Sequence, residues 1–100
     1  MGQARAQQIA DNRRVRITVW SFGSGDSTGQ HRHELDYVVV PVTGGTFDVT
    51  SPTGEVNAMI QELGVPYYRS AGAAHDVTNK TGAEAVFVEI ELKEPSSNPD

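Results

Sequence analysis

The sequence predicts an all-β fold, a single sandwich or barrel, and three observations lead there. The chain is one hundred residues long, room for one hydrophobic core and not two. Its apolar residues come in short runs that alternate with polar ones, the repeat of a strand whose successive side chains face opposite ways. Ten glycines and five prolines punctuate those runs as turns do. No stretch longer than a turn or two shows the period of a helix.

Residues 1–12 are rich in Gln and Ala, lack a clear period, and read as an N-terminal arm, loose or paired with a partner subunit. The single domain then spans 13–93. From Arg13 the chain alternates: Val15, Ile17 and Val19 take one face of a strand, and Arg16, Thr18 and Trp20 the other. Phe22 continues the second face, which turns aromatic just before the glycine turn Gly23 to Gly29. Trp20 is therefore expected to line a cavity and contact a ligand. A phosphate-cradling role for that turn would need a Lys-Ser/Thr pair and a following helix, and neither is present.

His31 to Val42 is β-rich, and its stretch Tyr37-Val-Val-Val40 reads as a strand buried on both faces. Pro41 cannot donate to a ladder, so it should sit at an edge or bulge. Gly44-Gly45 turns the chain into Thr46–Thr50, and Pro52-Thr-Gly54 turns it into Glu55–Ile60, a meander. Gln61 to Gly64 turns again before Tyr67-Tyr-Arg-Ser70, and Ala71-Gly72-Ala-Ala74 is a small-residue corner leading to His75. The last strand is Ala85–Leu92, with Val86, Val88, Ile90 and Leu92 on one face and Phe87, Glu89 and Glu91 on the other. Residues 94–100 are polar and proline-bearing, the composition of a flexible tail.

Formal net charge is −5 with no block of Lys or Arg, so the attraction that supplies most nucleic-acid affinity is missing. The basic group Arg13-Arg14-Val15-Arg16 alternates into the first strand as a solvated face. Without cysteine there is no disulfide framework and no thiolate metal site. No apolar run reaches the length of a signal peptide or membrane span, so a cytoplasmic protein without a membrane partner is expected.

All three histidines fall where one metal site would need them. His31 and His33 form a His-x-His pair whose rings share a face of a strand, and His75 comes from a separate stretch. Gly25, five residues, His31-x-His33 and then Gly44 resemble the first motif of the cupin superfamily. Gly64, Gly72, His75 and Asn79 resemble its second. Two positions depart from the pattern: the glutamate expected after His33 is Tyr37 or Val38 according to spacing, and Ser70 replaces a proline. The fuller string His-Arg-His-Glu-Leu-Asp-Tyr-Val-Val-Val-Pro, with the ending Phe-Val-Glu-Ile-Glu-Leu, resembles small bacterial cupins, some of them associated with β-alanine catabolism.

The resemblance implies a single-domain double-stranded β-helix, the cupin jelly-roll barrel, usually a homodimer, with a divalent metal inside one end. His31, His33 and His75 are the expected ligands. Three neutral imidazoles suit iron, zinc, nickel or manganese and leave positions open for water or substrate. An ion without a carboxylate ligand keeps its full charge, which favours an anionic small molecule carrying a carboxylate. Tyr37 shares parity with the histidine pair, so its phenol is a candidate catalytic donor; Asp36, and equally Glu34, would reach the ion only through a bulge. Glu89 is a candidate general base, weighed against a solvent-facing carboxylate. Arg69 and Tyr68 are candidate substrate contacts, Arg69 as a two-pronged carboxylate clamp, with Arg32 a weaker alternative. The function expected is a metal-binding cupin that acts on or binds such a metabolite. As an enzyme it would be a dioxygenase, isomerase or lyase, a three-histidine iron dioxygenase among them. The alternative is a non-catalytic binding or sensor module.

Overall fold

The structure is a computed structural model and describes residues 2–93; the expected tail, 94–100, lies outside them. Among the described residues nine strands form two facing sheets, and every ladder between those strands is antiparallel. In chain order they are β1 (Arg5–Asp11), β2 (Val15–Phe22), β3 (His31–Arg32), β4 (Asp36–Pro41), β5 (Gly45–Thr50), β6 (Val56–Gln61), β7 (Tyr67–Arg69), β8 (Ala74–Asn79) and β9 (Ala85–Leu92). One sheet runs β1-β2-β9-β4-β7 and the other β3-β8-β5-β6. Apart from the β1-β2 and β5-β6 hairpins, neighbours in space are distant in sequence, as a jelly roll requires.

Residues expected as an arm form β1, which pairs with β2 of the same chain and makes the outer edge of its sheet. A bulge at Ile9 breaks its register between Gln8 and Ala10, and Asn12 closes the hairpin by accepting the amides of Arg14 and Val15. Gly44 and Gly45 make the turn into β5 with φ of 74° and 109°, values that cost glycine little and a side chain much. A Cβ on Gly45 would also strike the Thr81 methyl.

The core lies between the sheets. Phe22, Phe47 and Phe87 pack at centroid separations of 5.3 to 5.8 Å and fill one end of the roll. Beside them Asn79 is almost fully buried, donating to the carbonyls of Gly23 and Ala83 and accepting from the Thr81 amide. One strand expectation changes, one is met through a detail of the pairing, and one choice left open is decided. Strand β4 is not buried on both faces: Tyr37, Val39 and Pro41 point inward, and Val38 and Val40 lie half-buried outside. Pro41 is in an interior strand, yet β7 pairs only with Tyr37 to Val39, so the sheet has an edge at Pro41. Val42 donates to Val86 on β9, which turns the proline nitrogen toward that open side. In β9 the aliphatic face is the outer one, and Phe87, Glu89 and Glu91 face the interior.

Candidate metal centre

Strand β3 lies against β8 with His31 directly opposite His75. His33 follows one residue after the strand, held by its amide to the Ala73 carbonyl and by its carbonyl from the Gly72 amide. Alternation turns both rings of the pair the same way, and β8 adds the third. The Nε2 atoms of His31 and His33 stand 3.1 Å apart, and those of His33 and His75 3.2 Å.

His31 Nδ1 is 2.9 Å from the Gly29 carbonyl, an acceptor, so that nitrogen carries the ring hydrogen and Nε2 presents a bare lone pair. Thr28 and Asp76 brace the same loop: the Thr28 hydroxyl accepts the Val77 amide, and Asp76 accepts the Gly29 amide. One hydrogen on His33 Nε2 cannot point along both short contacts. A cation at their centre satisfies all three nitrogens, and two nitrogens bound tetrahedrally to one such ion lie about 3.4 Å apart. The donor set therefore fits a divalent metal. Burial, and then the neighbouring imidazoles, push both His33 and His75 down to about 4, so these rings stay neutral and able to ligate.

The histidines open on a cavity of about 290 Å³ that reaches from Trp20 to Met59 between the sheets. Trp20 lies against His31, ring centroids 6.4 Å apart. Tyr37, only 3 % exposed, stacks on His33 at 4.0 Å between ring centroids. Burial, reinforced by the charge of Glu89, pushes its phenol up to about 12. Glu89 is 8 % exposed, with Oε2 3.8 Å from His33 Nε2. The solvent-facing alternative for this carboxylate is thereby overturned. Burial and the charge of Glu91 push it up to about 7, opposed by a hydrogen bond from Trp20. Glu91 itself is paired with Arg16 at 3.3 Å.

Arg69 stands across from Tyr37 on β7 and lines the cavity, its guanidinium 4.6 Å from the Tyr67 ring centroid. Tyr68 does not line it. Adjacent strand residues face opposite ways, so Arg69 and Tyr68 cannot both point inward; Tyr68 is 52 % exposed and donates to Asp36. Tyr67 has the inward parity and was missed, although its spacing from Arg69 already carried that signal. Asp36 accepts from Tyr68 and the Ala71 amide on the outer face, and β4 runs in regular register without the bulge that would turn it in. Arg32 pairs with Glu34 on the surface, away from the cavity. Met59, Val49 and Thr28 also line the cavity, and nothing local in the sequence marks them.

No family model matches the chain. It is 47% identical over 83 residues, covering 83% of this chain and 86% of the other, to the Beta-alanine degradation protein BauB of Pseudomonas aeruginosa. Among solved structures it is similar to a cupin domain from Bordetella pertussis, with a TM-score of 0.89 and 43% identity over 93% of this chain and 96% of that one. A protein from Klebsiella pneumoniae with a double-stranded beta-helix domain shares the fold at a TM-score of 0.74 and 15% identity, covering 96% of this chain and 77% of its own. The near-complete overlap with the Bordetella domain agrees with the two glycine-histidine motifs and the two-sheet roll, and on these grounds the chain belongs to the cupin superfamily.

Proposed function

We propose that this cupin holds one divalent ion on His31, His33 and His75 and acts there on a small carboxylate-bearing metabolite. The observation that carries this reading is the convergence of three imidazole nitrogens, 3.1 and 3.2 Å apart, at the wall of a cavity of about 290 Å³. That volume is at the small end for ligand pockets. Iron, zinc, nickel or manganese suits the donor set. A bound ion of this kind supplies Lewis-acid polarisation and an open position for a substrate oxygen.

The chain's own residues do the rest. Arg69 offers a planar, two-pronged contact for a carboxylate, and Trp20 forms the wall over His31. The Tyr37 phenol keeps its proton and acts as a hydrogen-bond donor. Glu89 places a carboxylate against His33, within reach of either the ion or a substrate proton. The relative from Pseudomonas aeruginosa is named for β-alanine degradation; β-alanine is a three-carbon carboxylate, which fits both the cavity and Arg69. The presence of Tyr37 and Glu89 beside the histidines favours catalysis over ligand storage.

The molecule works as a homodimer joined through the outer face of the five-stranded sheet. What supports this is an aliphatic, uncharged centre to that face: Ile17, Val19, Val38, Val40, Val88 and Ile90 all point outward and stay partly exposed. A surface without charge at its centre is complementary to itself about a two-fold axis.

The test is metal analysis of protein purified without added metal, then turnover assays on small amino, oxo and hydroxy acids with oxygen consumption followed in parallel. About one ion per chain, with turnover lost in His75→Ala, supports the reading. Tight ligand binding without turnover for any of the four metals leaves a binding module instead.

A further inference from the structure

We infer that Glu89 is a ligand of the ion, standing in from β9 for the carboxylate that the first cupin motif lacks; this rests on the three-histidine reading above. The missing glutamate would sit at Tyr37 on β4. Strand β9 is the neighbour of β4, with Glu91 opposite Tyr37 and Glu89 opposite Val39. A carboxylate on β9 therefore reaches the same interior from one strand over, about 4.8 Å away.

Of the two inward carboxylates, Glu91 is engaged by Arg16, whereas among the described residues no Lys or Arg pairs with Glu89, whose one ion-pair neighbour is the His33 ring. Two ligand atoms of one ion lie about 3.0 Å apart at a right angle, about 3.4 Å tetrahedrally and about 4.2 Å in line. The 3.8 Å between Glu89 Oε2 and His33 Nε2 falls within that range. Glu89, His33 and Glu91 bring their ligating atoms within 4.8 Å of one another, a second cluster that shares His33 with the histidine triad; the Glu89 carboxylate is not within that distance of all three histidine nitrogens, so it has to swing toward them to complete the set. The Trp20 hydrogen bond orients the carboxylate, as outer partners of metal ligands do.

The tyrosine at position 37 then has a complementary reason. Its ring lies flat against His33, 22° from parallel, and fills the space of the absent side chain. The charge moved to β9 and the volume stayed on β4. Three imidazoles and one carboxylate leave the ion a single net positive charge, which still selects an anionic substrate.

The experiment titrates metal-free protein with Co²⁺, reading affinity by chelator competition and coordination by the visible absorption of the bound ion. Glu89→Gln keeps the shape and can keep the Trp20 hydrogen bond, and circular dichroism verifies its fold. It is expected to weaken Co²⁺ binding at least tenfold and to change the spectrum. Adding Tyr37→Glu to Glu89→Gln returns a carboxylate one strand over and is expected to recover most of that affinity. Affinity within twofold of wild type and an unchanged spectrum in Glu89→Gln overturn the inference, as does a double variant that recovers nothing. His75→Ala separates the two claims: loss of Co²⁺ there with no effect of Glu89→Gln leaves the three-histidine site standing and removes Glu89 from it. Retention of Co²⁺ in His75→Ala removes both.

Discussion

His31 keeps its hydrogen on Nδ1 because the Gly29 carbonyl takes it, so a backbone atom decides which lone pair faces the cavity. Arg69 is the residue whose loss should be felt by the ligand and not by the ion. Arg69→Lys keeps the charge and loses the fork, and should weaken binding of a carboxylate ligand roughly tenfold, the worth of one charge-assisted contact. Calorimetry with the metal-loaded protein checks this, and unchanged affinity would dismiss the clamp. Tyr37→Phe keeps the stack on His33 and removes the phenol; metal content should hold while turnover falls, and equal turnover would strip the phenol of any role. The histidines were legible in the sequence because motif spacing and alternation act over a few residues. Tyr68 was misplaced for want of that same alternation, applied between it and Arg69.

Strand β9 shows what pattern alone leaves open. Its two faces were legible, but not which one looks inward. An aliphatic face ordinarily marks the core, and here it is the outer surface, while Phe87 and Glu89 face the cavity and Glu91, on the same side, pairs with Arg16. The inversion depends on β2 and β4 flanking β9, a long-range pairing that no local window contains. Pro41 is a similar case: its constraint was legible, whereas its release by the shortness of β7 was not. The turn after β8 yields a stability prediction. Asn79→Ala leaves the Thr81 amide without its acceptor and takes one of two donors from each of the Gly23 and Ala83 carbonyls in a buried place, and should cost about 1–3 kcal/mol. Urea unfolding checks it; a midpoint unmoved from wild type would show that water replaces the side chain freely.

For the whole molecule, acid should weaken the metal-free fold. His33 and His75 sit at about 4 in the folded chain against an ordinary 6.5, so unfolding takes up two protons as pH falls below 6.5. Glu89, at about 7 against 4.5, releases one on unfolding in the same range. Uptake exceeds release, so stability falls from pH 6.5 toward 4, and below 4 the two histidines are protonated in both states and add no further loss. Thermal melts of metal-stripped protein across that range would show it, and a flat or rising melting temperature on acidification would refute it. Assembly has its own test: Val88→Lys, on the outer face of β9, should convert a dimer to monomer in sedimentation without loss of the fold. A wild-type chain that sediments as a monomer at micromolar concentration would dispose of the pairing.

The three phenylalanines that stopper one end of the roll impose an order of events. With that end sealed, whatever enters the chamber must leave by the doorway it used, and the deepest guest departs last. An ion on the histidines and a carboxylate at Arg69 share that one chamber, so a chelator has to reach the ion past any occupant. A resident carboxylate should therefore slow metal stripping, and product must clear before the next molecule is admitted.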